Sequence, residues 1–261
     1  MAVIVALFAV MLGVIVHREW ADASARADAR AEAAAQVIAT NALWINELSR
    51  QALARVDEVL GDHIEANAFL ASNLLVDAVD DLPGTVFAYV IAADGRTLFS
   101  NDPNIQQIDV TDRPYFAQPA GGQDWYVSSL MVSRLSGDQI FTFSRRLERN
   151  GQFAGVAVIS FSADIMADVW ASLEFDRNSA VLLFRDDGRL IARYPMLENA
   201  ENIPDREYFA EYLSQSDSGT MRIVSPLDGV ERVISYRPVP GSGIVAASAI
   251  SLDTALAPAW R

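Results

Sequence analysis

The sequence predicts an α+β protein: a long N-terminal helix followed by two tandem lobes, each built on an antiparallel sheet of about five strands. Three observations carry this. An apolar run at the N-terminus passes without a break into an Ala-rich, Pro-free stretch with helical periodicity. From Thr85 the period shortens to that of strands, with Asp94-Gly95 and Asp187-Gly188 as hairpin turns. Finally, the second half repeats the first: Asp112-Arg113-Pro114-Tyr115-Phe116 returns as Asp205-Arg206-Glu207-Tyr208-Phe209, 93 positions on, the same offset as the two Asp-Gly turns.

Composition narrows the function. The chain has 261 residues, 51% of them hydrophobic, enough to bury a core. A net charge of −14 repels phosphate backbones, so no nucleic-acid partner is expected. With no cysteine there is no disulfide, thiolate ligand or cysteine nucleophile. His17 and His63 stand far apart, no D-x-D-x-D-G calcium loop and no G-x-S-x-G elbow occurs, and no metal, cofactor or catalytic group is expected.

The elements follow in order. Ala2 to Val16 is apolar throughout and is followed by His17-Arg18-Glu19-Trp20. At 1.5 Å per residue it spans about 22 Å, short of the ~30 Å hydrocarbon core of a bilayer. Two readings stay open: a signal-peptide core with Ala23-Ser24-Ala25 as cleavage site, or a membrane anchor over 1–20 with Trp20 at the interface. The helical pattern that continues past Trp20 favours the anchor. A long helix is expected over 21–75, with Val37, Ile38, Ala42, Ile45, Leu48, Ala52, Val56, Val59, Leu60 and Ile64 along one stripe.

The first lobe, 76–175, holds the Asp94-Gly95 hairpin, the loop with Arg113, and strands near Trp125–Val127, Gln139–Leu147 and Gln152–Phe161. Arg149-Asn150-Gly151 turns between the last two, and Ser162 is placed to cap a short helix over 163–175. The second lobe, 176–261, repeats the order, with strands near Gly219–Val224, Val230–Val239 and Ile244–Ala249 and a closing helix from Ser251-Leu252-Asp253.

A membrane segment, a long helix and two sheet units with D-R-x-Y-F loops resemble the double Cache (dCache, PAS-like) extracellular sensor domain over about Ala21 to Arg261. The run SRRLERNGQFAGVAVISFSAD is similar to sensor regions of bacterial diguanylate cyclases and histidine kinases. The resemblance implies a ligand pocket in a membrane-distal first lobe and a homodimer along the long helix. It also implies a place in the bacterial cell membrane, with residues from about 21 onward in the periplasm and an output domain beyond Arg261. A tethered or secreted binding protein without an output domain is the alternative.

Within the first lobe, Arg113, Tyr115 and Phe116 share one helical turn, and a guanidinium can grip a carboxylate with two charge-assisted hydrogen bonds. Trp125, Tyr126, Ser128, Arg134, Ser144 and Arg145 are expected across the pocket. A purely structural D-R-x-Y-F turn, with Asp112 paired to an arginine, remains open beside this. Amino-acid-binding dCache receptors hold the ligand ammonium with acidic residues, and the corresponding positions here are Ser128 and Ser160. The resemblance therefore implies a small organic acid in preference to an amino acid.

Overall fold

The structure is a computed structural model, and it describes residues 2–67, 76, 77, 79, 82, 86–101, 108–176, 178–196, 209–226 and 228–252. Helix α1 runs unbroken over Ala2–Leu60, about 88 Å at 1.5 Å per residue. No helix among the described residues is long and apolar enough to cross a membrane. The long helix stops sooner than the expected residue 75. Gly61 takes φ +50, a left-handed value that suits a helix end, and the Asn67 Nδ2 amide then donates to the Leu60 carbonyl at 2.9 Å.

The first sheet contains β1 (Val86–Ala92), β2 (Thr97–Ser100), β3 (Trp125–Val127), β4 (Met131–Val132), β5 (Gln139–Arg149) and β6 (Gln152–Ser162). Its order is β2-β1-β6-β5-β3, with β4 also paired to β5, so it has six strands where about five were expected. Helix α2 (Pro114–Ala120) lies between β2 and β3. After β6 the chain makes a 3₁₀ turn over Ala163–Met166 and enters α3 (Ala167–Ser172); Ser162 offers no side-chain cap to it.

The second sheet has β7 (Ala180–Arg185), β8 (Leu190–Tyr194), β9 (Gly219–Val224), β10 (Glu231–Val239) and β11 (Ile244–Ser251), in the order β8-β7-β11-β10-β9. That is the path of the first sheet, strand for strand, and all pairs are antiparallel. Helix α4 (Ala210–Gln215) follows the second D-R-x-Y-F motif, of which only Phe209 is described; Asp205, Arg206, Glu207 and Tyr208 lie outside the described residues, as does Asp253 of the closing helix.

Both sheets press one face onto α1. Ala23, Ala27, Ala31, Ala34 and Ala35 bury a stripe of methyl groups, which lets β10 and β11 come close enough for Ser248 Oγ to donate to the Ala31 carbonyl at 2.6 Å. Farther along, Ile38, Ile45, Leu53, Val56 and Leu60 join Phe141, Phe143 and Phe161 of the first sheet in one core. Val37, expected on this stripe, faces outward and is exposed. Polar ties fix the register: Asp57 receives Arg145 at 3.1 Å and Arg149 at 2.9 Å, Arg237 bonds Gln36, and Arg222 bonds Ser24.

The lobes touch through the chain around β3. Arg185 Nη1 donates to the Tyr126 hydroxyl at 2.6 Å, and the Leu130 amide donates to the Leu190 carbonyl at 2.7 Å while its side chain packs into the second lobe.

Candidate functional site

Pairing decides which side chains can meet a ligand. Across the first sheet, Phe87, Ser160 and Thr142 lie in one row, and Tyr89, Val158 and Ser144 in the next. Successive residues of a strand point to opposite faces. The neighbours Ala88, Val90, Phe141, Phe143, Ile159 and Phe161 therefore face α1, leaving these two rows on the far side. There residues 108–113 ahead of α2 lie over the sheet and, with the turn after β4, frame a small, partly open cavity of about 30 Å³.

Its floor is Tyr89 and Ile91 of β1, Ile140 and Thr142 of β5, and Ser160 of β6. Its walls include Ile108, Val110 and Met131, and Arg113, Tyr115 and Arg134 bring the polar groups. Arg113 caps α2 with extended backbone, φ −76 and ψ 138, because Pro114 excludes helical geometry from the residue before it. One of its five N–H donors goes to the Val132 carbonyl at 3.2 Å, and it forms no ion pair among the described residues.

Arg134 is differently placed. Its two terminal nitrogens donate to both Asp112 oxygens at 2.8 and 2.6 Å, and Nη1 also reaches the Asp109 carbonyl at 2.7 Å. This bidentate bond holds the Asp112 carboxyl below its ordinary value and raises Arg134 in turn. The pair straps the turn with Arg113 to the turn after β4, the structural role open for Asp112 in the sequence. Tyr115 is pushed above the usual phenol value by burial, so at neutral pH its hydroxyl stays a donor. No carboxylate lines the cavity among the described residues.

Three of the nine expected site residues thus meet here: Arg113, Tyr115 and Arg134. The other six lie outside the cavity. Phe116 is buried beneath α2, edge-on to Phe153 at 5.8 Å. Trp125 and Arg145 sit on the α1 face: Trp125 stacks on Phe143 at 5.5 Å under the Arg50 guanidinium, and Arg145 pairs with Asp57. Adjacent residues of one strand cannot share a face, so Trp125 and Tyr126, or Ser144 and Arg145, could not both line one pocket. Tyr126 is turned to the second lobe by Arg185. Ser128 Oγ accepts the Thr142 amide at 2.8 Å, and Ser144, fully buried, lies one row deeper.

Sequence reasoning missed Tyr89, Ile91, Met131, Ile140 and Thr142 as lining residues. The signal was present for one of them: Phe141-Thr142-Phe143-Ser144 alternates aromatic and hydroxyl side chains, which marks a strand with one apolar and one polar face.

In the second lobe the described residues at the equivalent place are bulkier and less polar. By strand register Ile234 stands for Thr142, Tyr236 for Ser144 and Ala249 for Ser160. Phe209, the counterpart of Phe116, stacks on Phe184 at 4.8 Å and meets Tyr236 edge-on at 4.9 Å. Among the described residues, this face of the sheet is polar in the first lobe and aromatic and aliphatic in the second.

No curated protein sequence matches the chain. Among solved structures, it is similar to the extracellular domain of rpHK1S-Z16, a protein named as a histidine kinase, with 24% identity over 89% of this chain and 97% of that one and a TM-score of 0.69. It is also similar to the ligand-binding domain of the Pseudomonas fluorescens chemoreceptor CtaA, solved with L-isoleucine (16% identity, 91% of this chain and 95% of that one, TM-score 0.60). The ligand-binding domain of Mlp24, solved with asparagine, is a third (18%, 94% and 99%, TM-score 0.58). At these identities the likeness is one of fold. The Cache domain family model matches residues 21–259, nearly the whole chain, and the family is one of sensory, ligand-binding modules, not catalysts. This chain belongs to the Cache domain family.

Proposed function

We propose that this Cache domain is the extracytoplasmic sensing region of a bacterial transmembrane receptor of the diguanylate cyclase or histidine kinase type, and that it takes a small organic acid in its first lobe. The observation that carries the ligand class is Arg113: a cation at a cavity with no ion pair and no lining carboxylate among the described residues. A carboxylate there would receive two parallel charge-assisted hydrogen bonds from Arg113 and a third from Tyr115. An α-ammonium would find only hydroxyls, which supply no compensating charge. The relatives solved with amino acids set the competing expectation.

Tethering is supported by the apolar run ahead of Arg18, where Ile4, Leu7, Phe8, Met11 and Val14 are exposed around the helix, with Trp20 just beyond. A dimer along α1 is supported by Val37 and Trp44, two exposed apolar side chains seven residues apart on one helix face.

The test is a thermal-shift screen of the purified chain against small carboxylates, amino acids and neutral metabolites, with Arg113→Met alongside. The expected result is stabilisation by carboxylates, lost in a variant that melts normally without ligand. Stabilisation by amino acids and not by organic acids overturns the ligand class. An Arg113→Met protein that keeps the carboxylate response overturns the site.

A further inference from the structure

Thr142 holds a buried hydroxyl that the fold does not use. It is 1% exposed, it lines the floor of the cavity, and its Oγ1 has no hydrogen-bond partner among the described residues. Its backbone is fully engaged: the amide donates to Ser128 Oγ at 2.8 Å and the carbonyl accepts the Ser128 amide at 2.9 Å. The side chain is therefore held in place while its polar atom finds no partner among the described residues, and a buried hydroxyl left so is costly. The strand does not demand a hydroxyl here, since the matching residue of the second lobe is Ile234. Ser160, 2% exposed and directly opposite Thr142 on β6, lines the same floor, and its counterpart is Ala249.

We propose that the first lobe selects a hydroxy acid, with the carboxylate at Arg113 and the ligand hydroxyl bonded to Thr142 Oγ1 beside Ser160; this rests on the organic-acid reading of the same cavity. The chemistry matches on each side. A ligand hydroxyl both donates and accepts, as Thr142 Oγ1 does, so the pair forms with no charge taken out of water. An ammonium at that depth would meet no anion, because no lining residue among those described is acidic. A second carboxylate would meet no free cation at the floor: Arg134, the other guanidinium of the cavity, is already gripped by Asp112. Ile91, Ile108, Ile140 and Met131 around the floor suit the carbon skeleton between the two polar groups.

The experiment is calorimetric titration of the purified full chain with matched acids: propanoate, 2-hydroxypropanoate and 2-aminopropanoate, then butanoate and 3-hydroxybutanoate. Within at least one series the hydroxy acid should bind about tenfold more tightly than its unsubstituted partner, the effect of one hydrogen bond in a dry site. Thr142→Val should bring that ratio close to one while leaving the unsubstituted acid bound, and Thr142→Ser should keep the preference. Thr142→Val removes no protein hydrogen bond and should fold as the wild type does. Equal binding of hydroxy and unsubstituted acids, or a preference that survives Thr142→Val, would overturn the inference and leave the organic-acid reading standing. Tighter binding of 2-aminopropanoate than of 2-hydroxypropanoate, or failure of every acid to bind, would instead overturn that reading, and the inference with it.

Discussion

The hydrogen bond from Arg185 to the Tyr126 hydroxyl joins the two lobes, and its contribution can be isolated. At 2.6 Å it is short and charge-assisted, between a tyrosine that is 7% exposed and an arginine side chain that is 19% exposed. Bonds of this kind contribute about 1.5–3 kcal/mol. The lower end applies, because in Tyr126→Phe the guanidinium keeps Asp187 at 3.0 Å and the Val127 carbonyl at 3.3 Å. It also keeps its place over the ring, 5.0 Å from the centroid, since phenylalanine retains the aromatic face. Tyr126→Phe should therefore destabilise the protein by about 1.5 kcal/mol. Arg185→Met should destabilise it by about 2–3 kcal/mol, as it also removes the cation over the ring, while Asp187 remains paired to Arg189 at 2.6 Å. In the double variant the shared bond is counted once, so urea denaturation of all four proteins should give a coupling energy of about 1–1.5 kcal/mol. Any other contact of the Tyr126 hydroxyl cancels in the cycle. A coupling below about 0.3 kcal/mol, the level at which independent sites add, would refute the reasoning.

Two further outcomes follow from the turns and the charges. Gly95 and Gly188 occupy the same left-handed turn position, φ +88 and +84, so alanine brings similar strain at both, about 1–2 kcal/mol. A Cβ on Gly188 would also fall 2.2 Å from the Ala210 backbone nitrogen, whereas on Gly95 it meets only the Thr111 side chain. Gly188→Ala should thus lower the denaturation midpoint well beyond Gly95→Ala, by about 1–3 kcal/mol more in stability, and equal effects would count against this account. For Asp228, burial raises the carboxyl, but the Arg232 hydrogen bond and charge outweigh it and hold the group below its ordinary value. Its stabilisation is then complete above the unfolded carboxylate value, about 4, and is lost as pH falls from there through the depressed value. Asp228→Asn should flatten that part of the acid-denaturation profile, and an unchanged slope below about pH 4 would contradict the assignment.

Local pattern was enough for most of the elements, though not for the short strand β4 or the end of α1. Asp94-Gly95 and Asp187-Gly188 turn where a left-handed residue must follow an aspartate, and Arg149-Asn150-Gly151 turns with Asn150 at φ 53 and Gly151 at φ 73. Each of these features is written within a few consecutive residues. The duplication was legible for the same reason, since short landmarks survive side by side in order. The family match over 21–259 agrees with the resemblance those landmarks carry.

The sequence by itself determined the helix, the strands, their duplication and the place of Arg113 beside Pro114. Tertiary structure alone decided which side of each strand meets α1 and which meets the cavity. Trp125 and Arg145 went to the helix because Phe141, Phe143 and Phe161 on the same face bury there against Leu53 and Val56, and alternation then sends their neighbours the other way. It also decided that, among the described residues, the matching faces of the two sheets differ in polarity. Thr142 and Ile234, or Ser144 and Tyr236, are single residues on distant strands, and only the register that aligns them across each sheet turns those differences into a polar or an aromatic face.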